Sequence, residues 1–93
     1  MAYELDIDLA AREQIRALPA AALAALAQAF EVLALVPERG QPLNPANPDG
    51  AVRQFVFDDG KGLITYLLLT DQDRVDVLVV TWVSFEAPGP DRG

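Results

Sequence analysis

Residues 52–83 read VRQFVFDDGKGLITYLLLTDQDRVDVLVVTWV, and this stretch decides the fold. Three apolar runs are separated by two clusters of turn-forming residues. Val52 to Phe57 is the first strand, and Asp58-Asp59-Gly60-Lys61-Gly62 is a turn with two glycines to supply positive φ. The second strand, 63–70, is apolar on both faces. Asp71-Gln72-Asp73-Arg74 turns the chain again. The last strand, 75–83, is apolar on both faces except at Asp76 and Thr81. Short connections of this kind make an antiparallel meander. A strand that is apolar on both faces is covered on both faces in the working molecule.

Upstream, the period changes. Tyr3, Leu5 and Ile7 alternate with Glu4 and Asp6, which predicts a short strand with one buried side. Asp8 ends it and caps a helix over 9–18, where Leu9, Ile15 and Leu18 are the apolar positions. Pro19 separates this helix from a second over 20–36, rich in alanine. Leu23, Leu26, Phe30 and Leu33 recur at spacings of three and four and predict one buried stripe. Two helices joined this tightly form an αα-hairpin. Residues 37–50 hold four prolines, two glycines and two asparagines and read as an irregular loop. Residues 87–93 read as a frayed polar tail beyond a single domain over 1–86. The fold class is α+β: a short N-terminal strand, an αα-hairpin and a three-stranded antiparallel meander. Two helices cover one face of such a sheet and leave the other as a surface for a partner.

Composition limits the chemistry. The 93 residues suffice for one domain and are 52% hydrophobic, so the chain folds with apolar surface to spare. There is no cysteine and no histidine. Thiol nucleophiles, disulfides and imidazole acid–base chemistry are excluded. Seven cations against 14 carboxylates give a net charge of −7, which repels phosphate backbones. No uncharged run reaches the roughly 18 residues a membrane helix needs, and the N-terminal residues do not read as a secretion signal. The expected location is the cytoplasm, with no membrane partner. No cofactor-binding motif is present. Asp58 and Asp59 are adjacent carboxylates without spaced partners; turn chemistry accounts for them, and no metal site is expected.

The order of these pieces resembles the RelE/ParE superfamily of toxins from type II toxin–antitoxin pairs. Tyr3-Glu4-Leu5 and Ala10-Ala11-Arg12 are similar to the family's opening, and Ala17-Leu18-Pro19 to its interhelical junction. Pro37-Glu38-Arg39-Gly40-Gln41-Pro42-Leu43 resembles its loop. Val52-Arg53-Gln54-Phe55, then Gly60-Lys61-Gly62-Leu63-Ile64-Thr65-Tyr66, resembles the family's Arg-bearing strand and its glycine turn leading to a tyrosine. Val75-Asp76-Val77-Leu78-Val79-Val80 is similar to its last strand. The resemblance spans nearly the whole chain.

The resemblance implies an antitoxin partner and, in nuclease members, ribosome-dependent cleavage of mRNA. Such cleavage needs a base, cations for the phosphate oxygens and an acid for the leaving oxygen. In the family these come from side chains on the sheet face away from the helices. The matching candidates are Arg53, Lys61 and Tyr66, with Arg39 and Arg74 as phosphate contacts. Each also has a plain structural reading. Arg53 can pair with Asp58 or Asp76, Lys61 can be solvated in its turn, and Tyr66 can be a core aromatic with a tethered hydroxyl. Arg74 can form a surface ion pair, and Trp82 can stack on a base, pack, or anchor an interface.

Departures from the family pattern bear on function. A second arginine expected after the turn glycine is Leu63 here, and the basic cluster at the end of the last strand is replaced by Thr81-Trp82-Val83-Ser84-Phe85. An interface on nucleic acid typically uses about 6–10 phosphate contacts; with Arg12 and Arg16 in the helix hairpin and Arg92 in the tail, four of the seven cations remain, opposed by 14 carboxylates. The first reading is therefore a toxin-like protein that docks an antitoxin or other protein, with gyrase-directed action a further implication of the resemblance. Phe55, Phe57, Leu67, Leu69, Val80 and Trp82 are the candidate contact residues, with the face of each left open. The alternatives are an mRNA endonuclease using Arg53, Lys61 and Tyr66, and a homodimer closed through the open face.

Overall fold

The computed structural model of the protein describes residues 2–47 and 50–83. Strand β1 is Glu4–Ile7, followed by helices α1 (Leu9–Arg16) and α2 (Ala20–Leu35). A 3₁₀ turn, Pro37–Arg39, leads to the two-residue strand β2 (Gln41–Pro42). Then come β3 (Val52–Phe57), β4 (Gly62–Leu69) and β5 (Arg74–Trp82). The expected tail, together with Ser84 and Phe85, lies outside the described residues.

The meander is present, but it sits inside a larger sheet of order β1-β5-β4-β3-β2. β1 pairs parallel to β5, with Leu5 opposite Val75 and Ile7 opposite Val77. β2 pairs antiparallel to β3 at Gln54 and Arg53. The loop expected over 37–50 is thus partly ordered into a 3₁₀ turn and an edge strand, too short to show a period of two.

Local chemistry sets the joints. Asp8 caps α1 and accepts from the Ala10 N–H at 3.4 Å. Arg12 Nε donates to the Ile7 carbonyl at 2.9 Å and ties the helix to the strand before it. The Pro19 carbonyl accepts the Ala22 and Leu23 N–H groups and starts α2. The buried stripe of α2 is Ala22, Leu26, Ala29 and Leu33, whereas Leu23 is exposed and Phe30 partly so. The sequence expectation followed the large residues. Packing follows the small ones, because alanine lets the helix backbone approach its neighbours.

In the β3–β4 turn, Asp58, Asp59 and Gly60 carry the positive φ angles. Gly62 instead opens β4 opposite Phe57, and a Cβ there would strike the Phe57 ring. One of the two turn glycines therefore serves packing rather than backbone freedom.

Register assigns the faces. Phe55, Ile64 and Val80 align across the sheet, as do Tyr66 and Val77, and Gly62 with Trp82. These residues face the helices, and with Leu26 and Leu33 they form the core. Thr65 pairs with Val79 and Tyr66 with Val77, so Leu78 is a bulge residue. The other face carries Val56, Leu63, Leu67, Leu78 and Val79 together with Gln54, Thr65 and Thr81, with no element packed over it among the described residues. Of the six candidate contact residues, Leu67 and Leu69 lie on this open face; Phe55, Phe57, Val80 and Trp82 point toward the helices.

Candidate functional site

The candidate catalytic residues do not gather at one point. Arg53 and Tyr66 are cross-strand neighbours on the helix side of the sheet, not on the open face where the resemblance puts such groups. Arg53 Nη1 donates to the Gly40 carbonyl at 2.9 Å. Tyr66 is fully buried and its hydroxyl donates to the Pro37 carbonyl. Gly40 makes this contact possible, because a Cβ at that position would occupy the place of the hydroxyl. Burial pushes the phenol pKa up. The Gly40 backbone hydrogen bond and the Arg53 charge act in the opposite sense, and Glu38 adds to the rise. The group is held as a neutral donor and fastens the 3₁₀ turn to the sheet.

Lys61 lies at the other end of β4, five residues from Tyr66, or about 16 Å along an extended strand. Its backbone carbonyl accepts from Val83 N–H at 2.8 Å, and its N–H donates to Asp58. Arg39 is exposed on the 3₁₀ turn. Arg74 opens β5 on the open face, where its guanidinium meets Asp76 at 2.9 and 3.3 Å. Hydrogen bonding and charge from Asp76, then the nearby Asp6 and Glu4, raise the Arg74 pKa. Trp82 Nε1 donates to Asp58 Oδ2 at 3.3 Å and bridges the last strand to the first turn. Phe55 and Phe57 pack beneath α2.

Two concave regions frame these residues. A cleft of about 520 Å³ opens between the 3₁₀ turn and the β4–β5 connection, with Arg53, Glu38 and Asp71 among its lining residues. A shallower groove of about 350 Å³ runs between α2 and β3, lined by Ala29, Val32, Phe55 and Val56. Among the described residues, no group of three or more carboxylate, His or Cys side chains is placed to hold a metal ion. No helix among them is long and apolar enough to cross a membrane.

Two residues that the sequence reading passed over hold the site's frame. Gln14 Oε1, from α1, accepts the Val80 N–H at 2.7 Å beyond the end of β1. Gly40 admits the Tyr66 hydroxyl. The loop "Pro-Glu-Arg-Gly" carried the only sequence signal for the second; nothing local pointed to the first.

A helix hairpin laid on one side of a mixed sheet, with a parallel N-terminal edge strand and a C-terminal meander, defines a RelE-like α+β fold. Two solved structures have it. The isolated RelE toxin of Escherichia coli superposes with a TM-score of 0.70 at 20% identity, over 91% of this chain and 88% of that one. The intact RelBE toxin–antitoxin complex of E. coli matches at 0.70 and 21% identity, over 89% of this chain and 99% of the matched chain. No family model matches the sequence, and no curated protein does.

Proposed function

We propose that the protein is the toxin-like component of a cytoplasmic toxin–antitoxin pair, and that it holds its protein partner on the open face of the sheet. The observation that carries this reading is a RelE-like fold whose uncovered face carries apolar side chains on β3, β4 and β5, set around Gln54 and Thr65. Val56 is 57% exposed and Val79 36%, with Leu63, Leu67 and Leu78 beside them. Apolar side chains left uncovered in this way on a small domain mark an interaction surface. One of the similar structures is a toxin–antitoxin complex.

The same reading assigns no RNA cleavage to this chain. Its described cations are dispersed: Arg12 and Arg16 on α1, Arg39 and Arg53 at the loop, Lys61 at the far turn, and Arg74 held by Asp76. Phosphate affinity grows with the number of cations brought to one backbone, and dispersed cations do not add up. Tyr66 is committed to the Pro37 carbonyl as a donor.

Induced expression in a bacterial host should slow growth, and co-expression of a protein encoded by a flanking reading frame should restore growth and yield a co-purifying complex. Unaffected growth together with no complex would overturn the reading. RNA incubated with the protein, with and without ribosomes, should stay intact. Cleavage that disappears in Arg53→Ala would restore the endonuclease alternative.

A further inference from the structure

Helix α2 buries one side against the sheet and leaves the other almost without charge. From Ala20 to Leu35 its only polar residues are Gln28 and Glu31. Its outward side carries Leu23, 40% exposed, and Leu35, 66% exposed, with Ala20, Ala24 and Ala27 exposed between them. A helix that is apolar all round belongs inside a larger assembly. The two ends of this face differ in charge. At the N-terminus Pro19 provides no side-chain cap and no acidic residue stands in the first turn, so the positive end of the helix is uncompensated. Arg16 closes α1 just before it, exposed and without an ion pair among the described residues. Toward the other end Glu31 is exposed and equally without a hydrogen bond or ion pair among them.

We infer that two copies of this chain pair through the outer face of α2, antiparallel, about a two-fold axis between Ala24 and Ala27. Small side chains at the axis let the two helices approach closely. One turn outward from these two residues, Glu31 of either copy comes over Ala20 of the other. There the bare helix start and Arg16 both favour a carboxylate. One turn further, Leu35 reaches the junction at Leu18 and Pro19 of the second copy. A foreign partner needs no such symmetry. An acid and its receptor set at equal distances from one point are what a two-fold axis requires, since each contact is then made twice. The helix is about 24 Å long, so the contact is smaller than the roughly 800 Å² per partner of a standard interface, and pairing is weak and reversible. This surface lies on the far side of the sheet from the open face, so pairing goes beyond the toxin reading and leaves that face free.

Sedimentation equilibrium of the full chain from about 20 μM to about 2 mM should show a reversible monomer–dimer transition, the range of a small interface. Arg16→Glu and Glu31→Lys, measured singly, should each weaken pairing at least about tenfold, because one substitution acts twice across the axis. An equimolar mixture of the two variants should dimerise again. At one end the introduced glutamate meets the introduced lysine, and at the other the native Glu31 meets the native Arg16. That recovery also shows both variants to be folded. Ala24→Lys/Ala27→Lys should abolish pairing without lowering the melting temperature in dilute solution, since both positions are exposed. Val56→Lys/Val79→Lys, on the open face, should leave pairing unchanged. A monomer throughout the range, a dimer indifferent to the lysines on α2, a dimer lost with the lysines on the open face, or a mixture that associates no better than either variant alone would each overturn the inference. None of these results requires growth inhibition or a second protein, so the toxin reading and the pairing of α2 fail separately.

Discussion

Tyr66 shows how one side chain can look catalytic in sequence and structural in space. A tyrosine a few residues past a glycine turn fits an acid in RNA cleavage and equally a core aromatic with a tethered hydroxyl. The deciding partner is the Pro37 carbonyl, 29 residues away, reached through the gap that Gly40 leaves. Periodicity carries no information about a contact of that kind. Arg53 follows the same pattern: its strand was legible, its face and its bond to the Gly40 carbonyl were not. Tyr66→Phe should cost about 1–3 kcal/mol in urea unfolding at neutral pH, since it strands buried backbone groups. The pH dependence has a definite sign. Burial raises the folded-state phenol pKa above its unfolded value near 10. The folded chain therefore keeps a proton that the unfolded chain loses. This contribution is complete below about pH 10 and is lost as pH rises toward the folded value. Wild type should converge on Tyr66→Phe in alkaline unfolding curves, and a constant gap between the two would contradict the donor role.

At the scale of elements, the sequence was most informative where a period runs for several residues. The helix hairpin, β3, β4 and β5 all follow from spacing and turn chemistry. The elements that escaped are short or paired at a distance. β2 has two residues, and the parallel pairing of β1 with β5 joins segments some seventy positions apart. The stripe of α2 was half legible: Leu26 and Leu33 are buried as expected, whereas Ala22 and Ala29 take the places expected of Leu23 and Phe30, because alanine carries little weight in a hydropathy pattern yet decides how close a helix approaches. Gln14 illustrates the cost of ending an edge strand early. β1 stops at Ile7, and the Val80 N–H further along β5 is taken by a side chain from α1. Gln14→Leu should remove that acceptor and destabilise the protein by about 1–3 kcal/mol, with loss of hydrogen-exchange protection at the Val80 amide. Gln14→Glu keeps an acceptor in place and should preserve the protection. Equal protection in both variants would show that the amide is held by something other than residue 14.

For the whole molecule, the two sides of the sheet do different work, and this separates folding from binding. Leu26, Leu33, Ile64, Tyr66, Val75 and Val77 bury completely or nearly so between helices and sheet. The opposite side adds little to the core, since no described element covers it, and it takes part of the composition's surplus of apolar residues, with Leu9, Leu35 and Leu43 exposed elsewhere. The acidic balance also becomes spatial here: Glu4, Asp6 and Asp76 collect at one corner while the described cations scatter. That distribution was legible only in part, because net charge fixes a sign and not a place. Val56→Lys/Val79→Lys tests the division. Both side chains are exposed, so the variant should melt close to wild type, as surface substitutions usually cost within about 0.5 kcal/mol each. Leu33→Ala, from the fully buried side, should lose about 2–5 kcal/mol. If the open face is the docking surface, the lysine pair should abolish complex formation with the protein partner while the fold persists by circular dichroism. A variant that unfolds would place Val56 and Val79 in the folding core. One that folds and binds normally would move the partner to another surface, the groove between α2 and β3 first among them.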